Sequence, residues 1–464
     1  MHSSERLSLF RSLRDKRVFV AGAGRQGMAA AQLARALGAG VVLGDDGDEK
    51  RILDSLRSAN IPASDVDVCA GGIRAQDILD ADLVVLSAGL PRSHPAIRAA
   101  IENQIPICNE IELGAAQLQE STIVGITGTN GKSTTTTMLG DILRGHDPDT
   151  FVGGNLGTPL CEVIARGERP RMLVLELSSY QLETIQTLEL AVAVVTNLAP
   201  DHLDRYPSVE AYYEAKKRIF SLLSADGVAV VNRTDALSGQ FLNELGDVAR
   251  LDFGVSAEEH GVQIGQQSLV LNSVSTSAEI SLENPNIVGL HNRQNAAAAV
   301  AAAGALGIET ATLTAGLRAY AGISHRLERL GTARGVTWFN DSKATNVEAA
   351  RTAIQSFSAG VHLIAGGVGK GASYQPLVDA AQNRVVQVYA IGEDAAALVG
   401  AFSEVVDVQE STTLAAAVAA ALECAAPGDV LLLAPACASF DQFSNYQARG
   451  DAFRQLFEAA LEET

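Results

Sequence analysis

The sequence has 464 residues, 47% of them hydrophobic and 19% charged, which predicts a globular chain of about three domains rather than one core. Its formal net charge of -19 argues against nucleic acid and anionic membranes as partners, while leaving small phosphorylated substrates open. Five widely spaced cysteines without a C-x-x-C pair, no apolar signal core near Met1, and apolar stretches broken by Glu423, Pro427 and Asp429 point to a reduced cytoplasmic location without membrane insertion.

Residues 16–21 read as a short strand that runs into Gly22-Ala23-Gly24-Arg25-Gln26-Gly27 and an Ala-rich helix to about Leu37. Val41-Val42-Leu43 is the next strand, with Asp45 and Asp46 at its end. Such a G-x-G-x-x-G turn, read alone, says dinucleotide, and an NAD-binding dehydrogenase or a nucleotide-sensing module is the reading it supports by itself. The same glycines serve other nucleotides. A strand over 82–87 ending in Ser87-Ala88-Gly89, and an apolar piece over 105–108, close a small doubly wound domain.

A second domain is expected from about Glu110. The β-prone Thr122-Ile123-Val124 leads into Gly125-Ile126-Thr127-Gly128-Thr129-Asn130-Gly131-Lys132-Ser133-Thr134, and residues 134–143 read as a helix. This is a variant P-loop, because Ile126 stands where the first glycine of G-x-x-x-x-G-K-[ST] belongs. Loop N–H groups and the helix N-terminus suit a polyphosphate, Lys132 its terminal phosphates, and the Ser133 hydroxyl a Mg²⁺ ion.

Residues 171–177 form an apolar strand with one acid, Glu176, near its carboxyl end. Either a cation beside the P-loop neutralises it or it faces solvent at a sheet edge. A strand over 191–196 ends in Asn197-Leu198-Ala199-Pro200-Asp201-His202-Leu203-Asp204, a metal or substrate site or else a capped turn. Ser208 caps the next helix, on which Val209, Tyr212, Ile219, Phe220 and Leu223 share a face with Lys216 while Lys217 turns aside. A lysine there either snorkels or, if desolvated, reacts as a neutral amine with carbon dioxide to give a carbamate, a carboxylate-like metal ligand. Residues 225–289 read as short strands and turns. The polar His291-Asn292-Arg293-Gln294-Asn295 caps a long Ala-rich helix, and its amides suit a base or ribose equally well.

Gly322-Ile323-Ser324-His325-Arg326-Leu327-Glu328 reads as a linker into a third domain. There, Val336-Thr337-Trp338-Phe339 is a strand ending in Asn340-Asp341-Ser342-Lys343-Ala344-Thr345-Asn346. A strand over 361–365 leads into Gly366-Gly367-Val368-Gly369-Lys370-Gly371, residues 386–391 form another, and a strand over 429–434 runs into Pro435-Ala436-Cys437-Ala438-Ser439-Phe440. Lys370 and Ser439 thus follow two strands of one sheet, where they either bind a carboxylate together or serve as a solvated lysine and a capping serine.

Taken together, Gly-Thr-Asn-Gly-Lys-Ser-Thr, Glu176-Leu177-Ser178-Ser179, Asp201-His202-Leu203-Asp204-Arg205-Tyr206, Gly322 to Arg326, Asp341-Ser342-Lys343-Ala344-Thr345-Asn346 and Ala436-Cys437-Ala438-Ser439-Phe440-Asp441-Gln442-Phe443 resemble the Mur ligases. The resemblance spans the chain and implies an α/β protein of three domains: a Rossmann-like UDP-binding domain over 1–109, a central P-loop ATPase-like mixed-sheet domain over 110–322, and a Rossmann-like amino-acid-binding domain over 323–464. It implies a monomer in cytoplasmic peptidoglycan precursor synthesis. ATP would phosphorylate the carboxylate of UDP-N-acetylmuramoyl-L-alanine, and the amine of D-glutamate would attack the acyl phosphate as the third domain closes and excludes water. A sibling specific for L-glutamate or another amino acid, and more distantly folylpolyglutamate synthetase, stay open as alternatives.

By matching motifs, the resemblance assigns ATP to Gly128, Thr129, Asn130, Gly131, Lys132, Ser133 and Thr134, with Asn292, Asn295, Arg326 and Asp341. Two Mg²⁺ ions would be held by Ser133, Glu176, His202 and a carbamylated Lys216, and Lys132 and Lys343 would offset charge on the transferred phosphoryl group. The UDP substrate is assigned to Gly24, Arg25, Gln26, Ser87, Ala88, Gly89, Asn155 and His202, and the incoming glutamate to Thr345, Lys370, Ser439, Phe440 and Tyr446. Arg25 and Gln26 depart from the small or apolar residues often found in that loop, and Asp45-Asp46-Gly47 lacks the arginine often found after that strand. Either Arg25 takes over the diphosphate contact or the UDP pose differs.

Overall fold

A computed structural model describes residues 3–202, 205–241, 244–272 and 277–462. It divides into two compact units, Met1–Ser281 with Gln294–Leu317, and Leu282–Arg293 with Arg318–Thr464.

The first unit contains two parallel sheets. One runs Val66–Cys69, Gly40–Gly44, Arg17–Ala21, Leu83–Leu86, Ile107–Cys108 in spatial order. Its strands are runs of Val, Leu and Ile because helices cover both faces, which leaves no polar side to alternate with. Chain order reverses between Arg17–Ala21 and Leu83–Leu86, so the loops after these two strands flank the switch-point crevice where α/β sheets bind ligands. The glycine-rich turn after the first strand is sterically required. A Cβ on Gly27 would lie 1.8 Å from the carbonyl oxygen of Gly22, and one on Gly22 (φ 109°) would lie 2.8 Å from the side chain of Ser87. The strand Val66–Cys69 and the helix Ser3–Arg11 carried no expectation from the sequence.

The second sheet has six strands, all parallel, in the order Ala249–Arg250, Leu223–Val231, Leu190–Val195, Thr122–Thr127, Met172–Glu176, Phe151–Gly154. The expected mixed character is therefore confined to a separate antiparallel sheet of Gly261–Ile264, Ser268–Asn272 and Ser277–Ser281. Glu176 ends an interior strand, not an edge, which removes the solvent-facing alternative. Ser208 caps Val209–Lys217 by accepting the Ala211 N–H, as expected. The regular helix stops at Lys217, however. A tighter turn over Arg218–Leu222 follows and Leu223 already belongs to a strand, so the apolar face expected to run on to Leu223 is interrupted.

In the second unit, the sheet order is Glu328–Ala333, Val336–Asn340, Val430–Leu433, Val361–Gly366, Val385–Ile391, Asp407–Glu410, parallel except for the first hairpin. Trp338 is fully buried against Phe453 and Phe457 of the terminal helix Tyr446–Glu462. The Ala-rich helix spans Gly289–Ala305, so residues 291–295 lie inside its first turns instead of capping it from outside. Among the described residues, no helix is long and apolar enough to cross a membrane.

Candidate active site

The P-loop is shaped by two glycines. Gly128 has φ 146° and a Cβ there would sit 2.0 Å from Thr196 Oγ1, while at Gly131 (φ 79°) it would sit 2.2 Å from Asn295 Oδ1. The loop is pinned to the next strand end. Thr129 N donates to the Asn197 carbonyl (2.9 Å), Asn130 N to Asn197 Oδ1 (3.0 Å), and Thr196 Oγ1 to the Asn130 carbonyl (2.6 Å). The helix Lys132–Arg144 starts directly at Lys132, with Ser133 and Thr134 buried in its first turn. Asn295 packs against this turn, with its Oδ1 3.4 Å from Thr135 Oγ1.

Two lysines converge on one carbonyl oxygen. Lys132 Nζ donates to Gly128 O (2.9 Å) and Thr129 O (2.8 Å), and Lys216 Nζ donates to Gly128 O at 2.7 Å. Lys216 is 2% exposed and lies 4.6 Å from the Tyr212 ring centroid. Burial, then the nearby Lys132 charge, holds its ammonium pKa well below the ordinary lysine value, against the opposing pull of Asp201 and Glu176.

Glu176 is also buried. Its Oε2 accepts the Ser133 hydroxyl at 2.5 Å and its Oε1 accepts the Asn155 amide at 2.9 Å, both neutral donors. Asn155 N bonds in turn to the Glu176 carbonyl (2.9 Å), and Gly154 (φ 100°) lets this turn approach the strand, since a Cβ there would be 2.4 Å from the same oxygen. Asn155 is thus placed beside the P-loop carboxylate. His202 stands apart, with a side chain 43% exposed and a left-handed backbone (φ 55°), and it touches Tyr180 and Tyr212 edge-on. Leu203 and Asp204 of the same motif lie outside the described residues. Among the described residues, no three His, Cys, Asp or Glu side chains converge as a metal cage.

Gly24, Arg25, Gln26, Ser87, Ala88 and Gly89 line one cavity of about 380 Å³ at the switch point of the first sheet. Asp45 and Asp46 line it too, and Asp45 explains its own presence: Oδ2 accepts Ala23 N (2.7 Å) and Oδ1 accepts Gly47 N (2.8 Å), tying the turn to the neighbouring strand. The helix Arg25–Ala36 begins at Gly24 without a side-chain cap, and Gly24, Arg25 and Gln26 at its start line this cavity.

In the second unit, the loop after Val361–Gly366 and the loop after Val430–Leu433 are bridged by paired bonds between Val368 and Ala438 (2.9 and 3.0 Å), which brings the Lys370 and Ser439 segments together. Ser439 is buried, Lys370 is exposed and Phe440 is 74% exposed. Lys343 Nζ lies 5.3 Å from the Tyr446 ring, and Thr345 N bonds to the Lys343 carbonyl at 2.8 Å. Asp341 accepts Leu327 N (3.1 Å); burial raises its carboxyl to about 7 against the pull of that bond and of the Arg326 charge. Asn292 is buried at the other end of this unit's sequence.

The sequence left Arg449 unremarked. It is 1% exposed and donates to Ser342 Oγ and to the carbonyls of Ser342, Cys437 and Gly366 at 2.9 to 3.3 Å, joining three strand-end loops from beneath. Arg205 lies inside the Asp201–Tyr206 motif, and the tyrosines at 180, 206 and 212 are the sequence signal that singles it out.

Models of known families match along the chain: the MurD-like N-terminal domain over residues 16–109, the Mur ligase middle domain over 126–303, and the Mur ligase glutamate ligase domain over 325–437. The chain is 43% identical over 458 residues to UDP-N-acetylmuramoylalanine--D-glutamate ligase of Anaeromyxobacter dehalogenans, covering 96% of this chain and 98% of that relative. Identity to the ligase of the same name from Myxococcus xanthus is 41% over 465 residues, covering 97% and 99%. A crystal structure of MurF from Acinetobacter baumannii has the same fold, with a TM-score of 0.62 at 18% identity over 99% of this chain and 98% of that one. A chain so similar over nearly its whole length belongs to the Mur ligase family.

Proposed function

We propose that this protein is an ATP-dependent ligase that adds D-glutamate to UDP-N-acetylmuramoyl-L-alanine, through an acyl phosphate, in cytoplasmic peptidoglycan precursor synthesis, and that it acts as a monomer. The observation that carries the chemistry is the buried Ser133–Glu176 pair at the head of the P-loop, with Lys132 and Lys216 meeting at the Gly128 carbonyl. The full-length likeness to D-glutamate ligases supports the substrates.

The donors suit Mg²⁺. Ser133 and Glu176 set a hydroxyl and a buried carboxylate side by side, the hard oxygen donors that Mg²⁺ takes. Ser133, Glu176, His202 and a carbamylated Lys216 would hold two such ions, which supply charge neutralisation for the transferred phosphoryl group. Burial favours the neutral form of the Lys216 amine; its nitrogen would bond to the carbon of carbon dioxide and shed a proton to give the carbamate.

The P-loop residues Gly128, Thr129, Asn130, Gly131, Lys132, Ser133 and Thr134 bind ATP together with Asn292, Asn295, Arg326 and Asp341. Lys132 releases its two loop carbonyls to meet the phosphates, and Lys343 adds a second charge. Gly24, Arg25, Gln26, Ser87, Ala88 and Gly89 hold the uridine diphosphate, where the uncapped helix start favours an anion, and Asn155 and His202 orient the acyl end. Thr345, Lys370, Ser439, Phe440 and Tyr446 take the glutamate. We place the domain boundaries at 109/110 and 322/323.

The test is ATP-dependent phosphate release with UDP-N-acetylmuramoyl-L-alanine, Mg²⁺ and bicarbonate, with D-Glu and L-Glu in separate reactions. Release with D-Glu alone, and a product heavier by one glutamyl residue, is expected. Release with another amino acid moves the specificity, and silence with every amino acid overturns the reading.

A further inference from the structure

Arg205 carries no role in the reaction as described, yet it joins two parts of the site. Its Nη1 donates to the Ala88 carbonyl at 2.9 Å, in the loop lining the first-sheet cavity. The same guanidinium lies over Tyr180, with its central carbon 3.8 Å from the ring centroid, and Tyr180 meets His202 edge-on at 5.1 Å. Tyr206 stacks on Tyr180 at 6.0 Å and tilts against Tyr212 at 5.4 Å, the ring that carries the Lys216 amine. Glu183 braces the group from behind: its carboxylate is 4.0 Å from Arg205 and accepts the Tyr206 hydroxyl at 2.5 Å. The Arg205 side chain is 16% exposed, so its plane is fixed between a carbonyl and a ring instead of moving in solvent.

We propose that Arg205 is a positioning residue, a strut that sets the spacing between the Ser87-Ala88-Gly89 loop and the His202 end of the active site. The inference rests on the assignment of the first-sheet cavity to uridine diphosphate. A substrate with a nucleotide at one end and a reacting carboxylate at the other has a restricted length, so the protein must hold a matching distance between the two sites that grip it. His202 needs such support because its left-handed backbone is strained for a residue with a side chain and persists only where its surroundings hold it. The N–H groups of Arg205 and Tyr206 both bond to the His202 carbonyl at 3.0 Å, so fixing the arginine fixes the histidine. Lysine cannot substitute. Its ammonium is a point charge without a plane to lie on a ring while a second edge reaches a carbonyl.

Arg205→Lys and Arg205→Met separate a strut from a binding contact. Both variants are expected to lose about 100-fold in kcat, as a misplacement of about 1 Å would cause, while KM for the UDP substrate and the calorimetric Kd of UDP stay within about threefold. In protein labelled with ¹⁵N-histidine, the His202 imidazole signals, assigned through His202→Gln, should move or broaden in Arg205→Lys while those of the other histidines hold still. A rise in KM and Kd with kcat preserved would make Arg205 a ligand contact and overturn the proposal. So would unchanged kinetics, or an unmoved His202 signal in a folded Arg205→Lys protein; the signal pattern also decides the matter if Arg205→Met does not fold. Failure of the unaltered enzyme to bind UDP would instead sink the cavity assignment, a result distinct from either.

Discussion

The two units organise charged chemistry in opposite ways. In the first, three of the side chains proposed to act are held by the protein itself: Glu176 buried between a hydroxyl and an amide, Lys216 buried on the Gly128 carbonyl, and Lys132 half-buried and folded onto its own loop. In the second, the loops are fixed and several side chains are not. Arg449 ties strand-end carbonyls together from inside the core, while Lys370 and Phe440 point outward. Burying a side chain sets its ionisation and geometry in advance, at a cost in desolvation. Fixing the backbone alone leaves a loosely held side chain to be ordered by its ligand. The first arrangement suits phosphoryl transfer, where charge must be offset without reorganisation; the second suits capture of a small free amino acid.

The sharpest way to break this contrast is Lys132→Ala. If the folded-back lysine is preset for the phosphates, its loss should lower ATP-dependent product formation by at least about 10³-fold. Near-normal turnover in a phosphate-release assay would show that the lysine merely closes the loop. Lys216→Ala tests the neighbouring claim. Loss of a group that supports the metal should cost about 100-fold or more, and a small added carboxylic acid should restore part of the activity by filling the vacated space. Full activity without rescue would return Lys216 to the role of a packed structural amine.

The second unit is probed from below. Arg449→Met removes the donors to four oxygens while keeping an apolar stem, and leaving buried polar groups without their partner should destabilise this unit by about 3 kcal/mol. Chemical denaturation followed by the fluorescence of Trp338, the sole tryptophan and a core residue of the same unit, reads that loss directly. An unchanged transition would mean that the strand-end loops hold themselves.

Much of this was legible in the sequence because the site sits on local motifs. Glycines before Lys132 announce a turn that only glycine can make, and the single acid in an apolar strand announces Glu176; both are statements about a few consecutive residues. Helical spacing places Lys216 on the apolar face, although the regular helix stops at Lys217 because Arg218–Leu222 tightens into a different turn. What the sequence withheld were contacts between distant segments. That Arg449 collects carbonyls up to 107 residues away, and that Arg205 reaches Ala88 across 117, depends on which strands become neighbours, and no local pattern encodes that. The polar residues 291–295 read equally well as a cap or as a contact for a base or ribose; they lie within the helix, where Asn295 Oδ1 packs against the P-loop helix.

Glu110 gives the smallest and most specific test of how the first unit tolerates buried charge. It starts the helix Glu110–Ala115, is 3% exposed, and accepts the Cys161 N–H at 2.6 Å through one oxygen, while the other has no hydrogen-bond partner. Burial raises its carboxyl from 4.5 to about 7. A carboxyl whose folded value is raised contributes stability that is fully present below the unfolded value of 4.5 and is lost as pH rises through about 7. Between pH 5.5 and pH 8 the unaltered protein should therefore lose about 2 kcal/mol from this group. Glu110→Gln keeps an acceptor for Cys161 and cannot ionise, so its first-unit melting transition should fall less over the same range. Equal losses in the two proteins would show that Glu110 does not change protonation between pH 5.5 and pH 8; carboxyl-labelled NMR distinguishes a group that keeps its proton from one already ionised. Glu176, buried to the same extent, has a hydrogen-bond donor on each oxygen, the partner that one oxygen of Glu110 lacks.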